Sequence, residues 1–435
     1  MFNILSFIET KRDGLHHDEA SLKTFVSALL DGRVADYQAS AWLMAVYFRG
    51  LDDDELRAFT LALADSGRRV HFPPALQPVD KHSTGGVGDK TTLVLVPLVA
   101  AAGLPVAKLS GPGLGFTGGT VDKLEAIPNF QSHLPLERFV SQVASIGCAV
   151  SGHSLDLAPA EGRFYSLRDV TATVPSVPLI ASSIVSKKLA GGAGGFVFDV
   201  KCGDGAFMDD LEKARYLARA LVDLSRSHGK RSLALVTDMD QPLGRWVGNA
   251  SEVLEALAVL QGKGPEDTRE LCLILGGAMV FLGGRARSLE EGRDLCRRLI
   301  DEGKGLEKME QLLLAQGVSA EVVAAPHRFL PKPSKRWDIR ADCSGWLCRL
   351  EARAIGEAVK VMGGGRMRKD DAIDPAVSVE LHRKRGESIE TGDLLMSLHY
   401  NDEARLGDGK AFLRRAFTVG EKPQKRPLVL DRIID

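Results

Sequence analysis

Residues 81–92 read KHSTGGVGDKTT and residues 110–125 read SGPGLGFTGGTVDKLE, and the mainly apolar segment 93–109 lies between them. Both polar segments combine glycine with serine, threonine and lysine. Glycine lets backbone N–H groups approach an anion closely, and hydroxyl and ammonium groups complete a cradle for its oxygen atoms. The two segments therefore predict a phosphate site formed by loops that flank one buried strand–helix unit.

The composition is that of a globular protein with more than one domain. The 435 residues are 44% hydrophobic, enough for a large core in two or three domains. A net charge of −1 gives no electrostatic reason to expect a nucleic-acid partner. Six scattered cysteines without a CxxC pair favour reduced thiols over disulfides or zinc ligands. The N-terminus does not resemble a signal peptide, and no apolar run reaches the ~20 residues of a membrane span, so we expect a soluble cytoplasmic protein.

Hydrophobic periodicity divides the chain into helical and α/β parts. Residues 1–70 show helical spacing only, and a helical insertion at about 160–190 is expected to join them in a small all-helical domain. Short apolar runs alternate with helical patterns elsewhere, which predicts a large mixed-sheet α/β phosphate-binding domain comprising 71–159 and 191–330. The runs interpreted as its strands are 93–96, 106–109, 196–200 and 232–237.

A proline-rich linker precedes the last domain, which is predicted to span 334–435. Short strands and turns in this part are typical of a small, sandwich-like α/β domain of the biotinyl or lipoyl type. It lacks a hairpin lysine between methionines, which makes a swinging-arm carrier improbable. We interpret the domain as structural.

Nucleotide-binding loops are the main alternative for the glycine-rich segments. Residues 113–118, GLGFTG, match the dinucleotide pattern G-x-G-x-x-G after a strand, but the match is weak. Asp122 and Glu125 follow where helix-packing residues are expected, and a dinucleotide has no need of the basic first loop. A nucleoside-triphosphate P-loop is excluded, because Asp89 stands where glycine should precede Lys90.

His82, Ser183 and Lys187 each have a structural and a functional interpretation. A lone histidine is more often structural, but in this accessible loop an imidazole can hold a proton for a leaving group. Ser183 and Lys187 are four residues apart and so share one helix face. The alternative is that Lys187 and Lys188 are a solvated pair near a helix C-terminus, where positive charge is favourable.

Residues 80–125 and 165–188 strongly resemble the thymidine and pyrimidine-nucleoside phosphorylases, and the resemblance covers essentially the whole chain. It implies phosphorolysis of uridine, thymidine and deoxyuridine to free base and pentose 1-phosphate, in pyrimidine salvage. It also implies inorganic phosphate as co-substrate, no organic cofactor and a homodimer, which we expect to form through the helical domain. The family shares its fold with anthranilate phosphoribosyltransferase, so phosphoribosyl transfer is the nearest alternative chemistry.

The resemblance assigns residues to the reaction, with His82 between the base and the phosphate. Arg168 and Lys187 would donate to base carbonyls where negative charge develops, which stabilises the transition state more than the ground state. Closure of the helical domain on the α/β domain is expected to assemble the site. The phosphate residues implied are Lys81, Ser83, Thr92, Lys108, Ser110 and Thr120. The base residues implied are Arg168, Ser183 and Lys187, with Tyr165, Leu114, Ile180 and Phe116 beside the pyrimidine.

Two departures from the family signature concern substrate choice. Pro112 replaces an arginine and Phe116 replaces a histidine, which adds apolar surface beside the pyrimidine pocket. The alternative function is therefore a member that binds nucleoside or phosphate with altered base specificity or weak turnover. Lys108, by contrast, resembles the broad pyrimidine-nucleoside branch, which accepts uridine as well as thymidine.

The third departure concerns a metal ion. Bacterial members bind a monovalent cation through positions that match Gly88, Lys90, Leu243, Trp246 and Glu255, and a threonine is usual where Lys90 stands. We hypothesise that the Lys90 ammonium takes the place of the ion and pairs with Glu255, so that potassium is unnecessary.

Overall fold

The computed structural model describes residues 2–111, 113, 115–154, 156–368 and 370–434. Within these ranges the chain forms an N-terminal helical domain, a large α/β domain and a small C-terminal domain built on sheets. This is the fold class that the sequence predicts. No helix in the described ranges combines the length and the apolar character needed to cross a membrane.

The helices and strands follow in chain order. The helices are α1 (Ile4–Arg12), α2 (Glu19–Leu30), α3 (Asp36–Arg49), α4 (Asp53–Ala64), α5 (Thr91–Ala101), α6 (Thr120–Glu125), α7 (Leu136–Ile146), α8 (Pro159–Val170), α9 (Val177–Ala190), α10 (Leu211–Ser227), α11 (Ala250–Leu260), α12 (Glu266–Leu282), α13 (Leu289–Asp301), α14 (Lys304–Ala315), α15 (Ala320–Ala324), α16 (Pro326–Phe329), α17 (Ala352–Val359) and α18 (Leu406–Arg415). The strands are β1 (Val79–Ser83), β2 (Val106–Ser110), β3 (Cys148–Gly152), β4 (Gly195–Cys202), β5 (Arg231–Asp238), β6 (Trp246–Gly248), β7 (Lys335–Arg340), β8 (Gly345–Leu350), β9 (Ser378–Leu381), β10 (Ser388–Ile389), β11 (Leu394–Tyr400), β12 (Phe417–Gly420) and β13 (Val429–Ile433).

Helices α1–α4 share one apolar core with the later helices α8 and α9. The N-terminal helices contribute Phe25, Trp42 and Phe59, and the later pair contributes Phe164 and Leu179. The Phe164 ring lies 5.6 Å from Phe25 and 5.4 Å from Phe59, between ring centroids. Two helices from the middle of the chain are therefore packed into the N-terminal domain.

The large domain is built on a sheet with strand order β13-β5-β4-β1-β2-β3. Strands β1 to β5 run parallel, and β13 is antiparallel to β5. From β1 the chain winds outward to β2 and β3, whereas from β4 it winds outward to β5 on the opposite side. The winding thus reverses between β1 and β4, and sheets of this kind bind ligands at the carboxyl ends of the strands at such a point.

The expected strand at 93–96 is wrong, because these residues lie in α5. Every residue from Thr91 to Ala100 is buried, so α5 has no polar face. A helix that is apolar all round gives no amphipathic period, and a short apolar run then cannot be told from a strand. The other expected strands lie within β2, β4 and β5, and the strand before the first glycine loop is β1.

The C-terminal domain contains sheets with strand orders β6-β9-β11-β7 and β10-β8-β12, and it exchanges strands with the large domain. Strand β6 precedes the linker yet pairs with β9. The last strand, β13, returns to the large sheet and pairs with β5. The sequence pattern predicts neither exchange. We propose 1–70 with about 160–190, 71–159 with 191–330, and 334–435 as the three domains, with these strands crossing between the last two.

Substitution of Phe164 by alanine should destabilise the helical core. Truncation of a buried aromatic side chain costs about 3–5 kcal/mol, because a cavity adds to the lost packing. Chemical denaturation followed by circular dichroism measures the change in the free energy of unfolding. Phe329→Ala is the control, since Phe329 is 42% exposed, and it should change this energy by less than about 0.5 kcal/mol. Equal losses in the two variants would contradict the placement of α8 in this core.

Candidate active site

The residues predicted to bind phosphate lie near the carboxyl ends of the parallel strands in the large sheet. Helix N-termini beside these strand ends offer backbone N–H groups and a dipole that favours an anion. The members are Lys81 and Ser83 on β1, Lys108 and Ser110 on β2, Thr92 in the first turn of α5 and Thr120 at the start of α6.

Lys81 is buried among acidic groups. Its Nζ lies 3.0 Å from Asp199 and 3.8 Å from Asp89, and it donates a hydrogen bond to Thr91 Oγ1 at 2.7 Å. Burial alone would lower the pKa of Lys81, but the negative charges of Asp89 and Asp199 outweigh burial and raise the pKa above its ordinary value. Lys81 therefore carries a positive charge at neutral pH.

Asp89 holds the first glycine loop together. One carboxylate oxygen accepts a hydrogen bond from Ser83 Oγ at 2.6 Å, and the other accepts bonds from the Thr91 N–H at 3.1 Å and hydroxyl at 2.5 Å. Burial would raise the pKa of Asp89, but Lys81 and Lys201 outweigh it and hold the pKa well below the ordinary value. The loop is thus organised around a carboxylate that stays ionised.

Asp199 and Lys201 belong to this network although sequence reasoning missed them. They lie on β4, whose parallel pairing with β1 sets Asp199 opposite Ser83. Lys201 Nζ lies 2.8 Å from Asp199 and 4.0 Å from Asp89. Nothing in the residues near the glycine loops indicates this neighbourhood, because the strand order alone creates it.

Lys108 and Lys188 share a second buried carboxylate. Asp80 lies 3.4 Å from Lys108 Nζ and 2.5 Å from Lys188 Nζ. Lys108 also donates to the Lys81 carbonyl oxygen at 2.6 Å, and Lys188 donates to that of Leu109 at 3.2 Å. Burial, opposed by Asp80 and reinforced by the neighbouring lysines, lowers the pKa of Lys108 to about 7. The same contacts tie α9 to the start of β1 and the end of β2.

His82 lies half-buried at the end of β1, with its ring centroid 6.5 Å from that of Phe198. Burial and the positive charges of Lys188, Lys108 and Lys187 lower the pKa of His82 well below its ordinary value. That His82 holds a proton for a leaving group stays a prediction. A neutral imidazole still has one N–H group that can donate a hydrogen bond.

Arg168 lies near the end of α8 and is buried. Its guanidinium donates to the carbonyl oxygens of Val174 at 2.8 Å, Leu179 at 3.0 Å and Thr173 at 3.5 Å. These bonds fix the connection between α8 and α9 and use three of the five N–H groups of the side chain. Arg168 is thus a structural clamp as well as the predicted base ligand.

Glu161, another residue that sequence reasoning missed, connects the other base-site residues. Its carboxylate accepts a hydrogen bond from Ser183 Oγ and lies 3.0 Å from Lys187 Nζ. Glu161 is buried, whereas the Lys187 side chain remains 25% exposed. A signal was present in the sequence, since Glu161 precedes Arg168 by seven residues and so shares its helix face. Glu161 orients both donors and leaves part of Lys187 open to a ligand.

The expected pyrimidine-lining residues lie on the same helices. Tyr165 is on α8 and Ile180 on α9, and Lys187 Nζ is 5.3 Å from the centroid of the Tyr165 ring. Leu114 and Pro112 fall outside the described residues. Tyr165 and Ser183 are therefore brought together around Lys187, and Arg168 binds the connection between the two helices.

Phe116 is packed between an aromatic ring and a cation. Its ring centroid lies 5.7 Å from that of Phe207, and the Arg353 guanidinium lies 4.8 Å from it on the C-terminal domain's side. A Cβ atom on Gly85 would lie 3.2 Å from Phe207, so this second ring reaches the first glycine loop. Phe116 therefore adds apolar surface next to the loop that holds the phosphate residues.

The positions expected to hold a monovalent cation surround the Lys90 ammonium instead. Lys90 Nζ donates to the carbonyl oxygens of Leu243 at 2.9 Å and Trp246 at 2.8 Å and forms a salt bridge with Glu255. Burial would lower the pKa of Lys90, but Glu255 and Glu252 outweigh it and raise the pKa above its ordinary value. These residues suit a buried ammonium group and do not fit a separate ion.

Comparisons with known proteins place this fold and site in a family. The helical-bundle domain of a glycosyl transferase family matches residues 5–67, its α/β domain matches 76–306, and the C-terminal domain of pyrimidine nucleoside phosphorylases matches 346–419. A pyrimidine-nucleoside phosphorylase from Geobacillus stearothermophilus is 44% identical over 432 residues, 99% of each sequence. The chain belongs to the pyrimidine-nucleoside phosphorylase family. A second member, from Staphylococcus haemolyticus, is 47% identical over 401 residues, 92% of each sequence.

A solved structure outside the phosphorylases shares the fold. The anthranilate phosphoribosyltransferase of Thermus thermophilus superposes with a TM-score of 0.57 at 20% identity, over 71% of this chain and 98% of that one. At this identity the likeness concerns the fold alone. The resemblance to pyrimidine-nucleoside phosphorylases that the two polar segments indicate is confirmed.

Binding of inorganic phosphate should depend on the charge of Lys108. Because its pKa is about 7, the ammonium is present below that pH and is lost as the pH rises above it. The guanidinium of the Lys108→Arg variant stays charged at both pH values. The ratio of the wild-type Kd for phosphate to the variant's Kd should therefore be on the order of tenfold larger at about pH 8 than at about pH 6. Calorimetric titration measures both Kd values, and the ionisation of phosphate cancels because it affects the two proteins equally. A ratio that does not change with pH would contradict the assigned role.

Proposed function

We propose that this enzyme catalyses the phosphorolysis of pyrimidine nucleosides with inorganic phosphate as co-substrate. A phosphate oxygen bonds to the anomeric carbon of the pentose, the C–N glycosidic bond breaks, and the base leaves with the bonding electrons. The base anion then takes a proton from solvent, so the products are the free base and ribose or 2-deoxyribose 1-phosphate. The observation that supports this most directly is the Lys188–Asp80 salt bridge of 2.5 Å, because it joins the helix of the base residues to the strand of the phosphate residues.

The base residues act on the negative charge that the leaving group gains. Arg168 has two N–H groups beyond its three backbone bonds, and Lys187 is held by Glu161 with part of its side chain exposed. Donors aimed at a base carbonyl bind it more strongly as negative charge develops there. His82 contributes a hydrogen bond to the same oxygen.

The phosphate residues orient the nucleophile beside the anomeric carbon. Lys81 brings a fixed positive charge, Ser83 and Ser110 bring hydroxyls, and the N-termini of α5 and α6 bring backbone N–H groups. Positioning two substrates in one site makes the attack effectively intramolecular. Lysine, arginine and backbone groups supply all the charge stabilisation in this scheme, so it needs no organic cofactor.

The proposed substrates are uridine, thymidine and 2′-deoxyuridine, which suits a role in pyrimidine salvage. Lys108 supports the broad range, because a lysine at this position resembles the branch of the family that accepts uridine as well as thymidine. Phe116 and Phe207 make the neighbouring surface apolar and modulate the choice of base. We also propose a cytoplasmic location, in keeping with the six cysteines, which the structure leaves as free thiols.

Base release from uridine, thymidine and 2′-deoxyuridine should require phosphate. Chromatography of reactions with and without inorganic phosphate measures this and ranks the substrates. Release without phosphate would indicate a hydrolase and contradict the proposal. Absence of release from folded protein would favour the alternative, a family member that binds nucleoside or phosphate with weak turnover or altered base specificity.

Arg168→Ala and Lys187→Ala should each reduce kcat/KM by about 10²–10³, the typical effect of removing a donor to developing charge. Lys213→Ala is the matched control, because Lys213 forms an exposed pair with Asp209, with 64% of its side chain in solvent. It should retain wild-type turnover. If Arg168→Ala and Lys187→Ala both retain near-full turnover with every substrate, the base site is wrongly placed.

We further propose a homodimer formed through the helical domain. Its surface exposes large apolar side chains, including Leu5 (63%), Leu15 (61%), Tyr37 (76%) and Phe48 (76%). An interface that covers these side chains would remove their apolar area from water, which favours association.

Light scattering should give about twice the chain mass of 46.9 kDa, and Phe48→Arg should shift the population toward the monomer. Tyr216→Arg, on an α10 side chain that is 59% exposed, is the matched control and should leave the dimer intact. A monomeric wild type, or equal disruption by both substitutions, would contradict this interface.

A further inference from the structure

Lys90 lies at the junction of three structural features. It follows the first glycine loop, it directly precedes α5, and its side chain enters the loop between β5 and β6. The side chain has no solvent exposure. Such a buried charge is tolerated only when opposite charge and hydrogen-bond acceptors surround it.

The surroundings of the ammonium leave no space for a separate ion. Two carbonyl oxygens and the Glu255 carboxylate contact Nζ. A Cβ atom on Gly244 would lie 2.3 Å from Glu255 Oε2 and 2.8 Å from Lys90 Nζ, so the backbone closes directly over the salt bridge. On the other side, a Cβ atom on Gly88 would lie 2.5 Å from the Leu243 carbonyl oxygen. The Lys90 ammonium therefore provides the positive charge that balances the Glu255 carboxylate and the two carbonyl oxygens.

A second lysine holds the same loop from the C-terminal domain. Lys384 Nζ donates to the Gly244 carbonyl oxygen at 2.9 Å and to Asp267 at 3.0 Å, and it also contacts the Pro242 carbonyl oxygen. Lys90 and Lys384 belong to different domains, yet both bind backbone carbonyl groups of residues 242–246. That loop continues into β6, which belongs to the C-terminal sheet.

The neighbours of Lys90 in sequence are residues of the phosphate loop. Asp89 accepts the Ser83 hydroxyl, and Thr91 donates to Asp89 and accepts from Lys81. Thr92 lies in the first turn of α5. Anchoring of the Lys90 side chain therefore fixes the backbone from which the phosphate residues project.

We propose that the Lys90 side-chain ammonium occupies the position that a bound monovalent cation would otherwise take. The enzyme then needs no such ion, and removal of this side chain creates a protein that requires one. Threonine at this position would leave a cavity lined by the Leu243 and Trp246 carbonyls and the Glu255 carboxylate, which are oxygen ligands suited to K⁺. The effect on turnover rests on the proposed function, whereas the effect on stability does not.

Thermal unfolding of the wild type and of Lys90→Thr in KCl, NaCl and choline chloride at equal ionic strength tests the proposal without any substrate. In choline chloride the variant should melt on the order of 5 °C below the wild type, because one partner of a buried pair is gone. KCl should recover most of this loss and NaCl less, since an ion that binds only the folded state stabilises it. The wild type should melt alike in the three salts.

Lys11→Thr is the matched control. Lys11 is also a buried lysine, 2.6 Å from Glu55, but among the described residues its ammonium has no hydrogen bond to a backbone carbonyl group. This variant should lose stability without any specific recovery in KCl. Recovery of both variants to the same extent, or of neither, would overturn the proposal, and so would a Lys90→Thr protein that is unfolded alike in every salt.

Turnover gives a second and separate measurement. Wild-type rates in KCl and NaCl should agree within about twofold, whereas Lys90→Thr should have a KM for phosphate raised about tenfold in choline chloride and restored by KCl. A wild-type rate that rises sharply with K⁺ over Na⁺ would overturn the proposal. If the wild type has no phosphorolytic activity, the proposed function fails, and the melting experiment still decides the role of Lys90.

Discussion

The site depends on buried lysine side chains that remain positively charged although water does not reach them. A buried lysine stays ionised only where a carboxylate and hydrogen-bond acceptors face it. Lys81 meets Asp199 and Asp89, and Lys90 meets Glu255, so both keep their charge. Where two lysines share the single carboxylate of Asp80, the pKa of one of them falls to about 7. The placement of acids therefore decides which lysines present a fixed charge to a phosphate ion, before any substrate enters.

A second consequence concerns the two helices that carry the base residues. Helix α8 packs in the core of the helical domain, whereas α9 from Ala181 to Leu189 packs mainly with β4 and β5 of the large sheet. Lys188 on α9 also bonds to Asp80 on β1, two residues before His82. A rotation of the helical domain would therefore act on the base set through α8, which Glu161 joins to Ser183 and Lys187 on α9.

Local chemistry made the two glycine loops predictable, because their composition is a property of adjacent residues. The family resemblance, and not the local pattern, assigned the residues around them to base and phosphate. Three kinds of feature could not be predicted. Helix α5 has no polar face to reveal its period, Asp199 reaches Lys81 only through the strand order, and the depressed pKa of His82 depends on lysines from β2 and α9. The last two depend on contacts between segments that are distant in sequence, so a single segment gives no sign of them.

The return of β13 to the large sheet has a consequence for biosynthesis. Strand β5 presents an unpaired edge until residues 429–433 are available to cover it. Residues 429–433 follow the strands of the C-terminal domain in chain order, so the α/β domain emerges from the ribosome with an open edge while that domain is still being made. Until β13 is in place, this edge can pair with other unfinished chains.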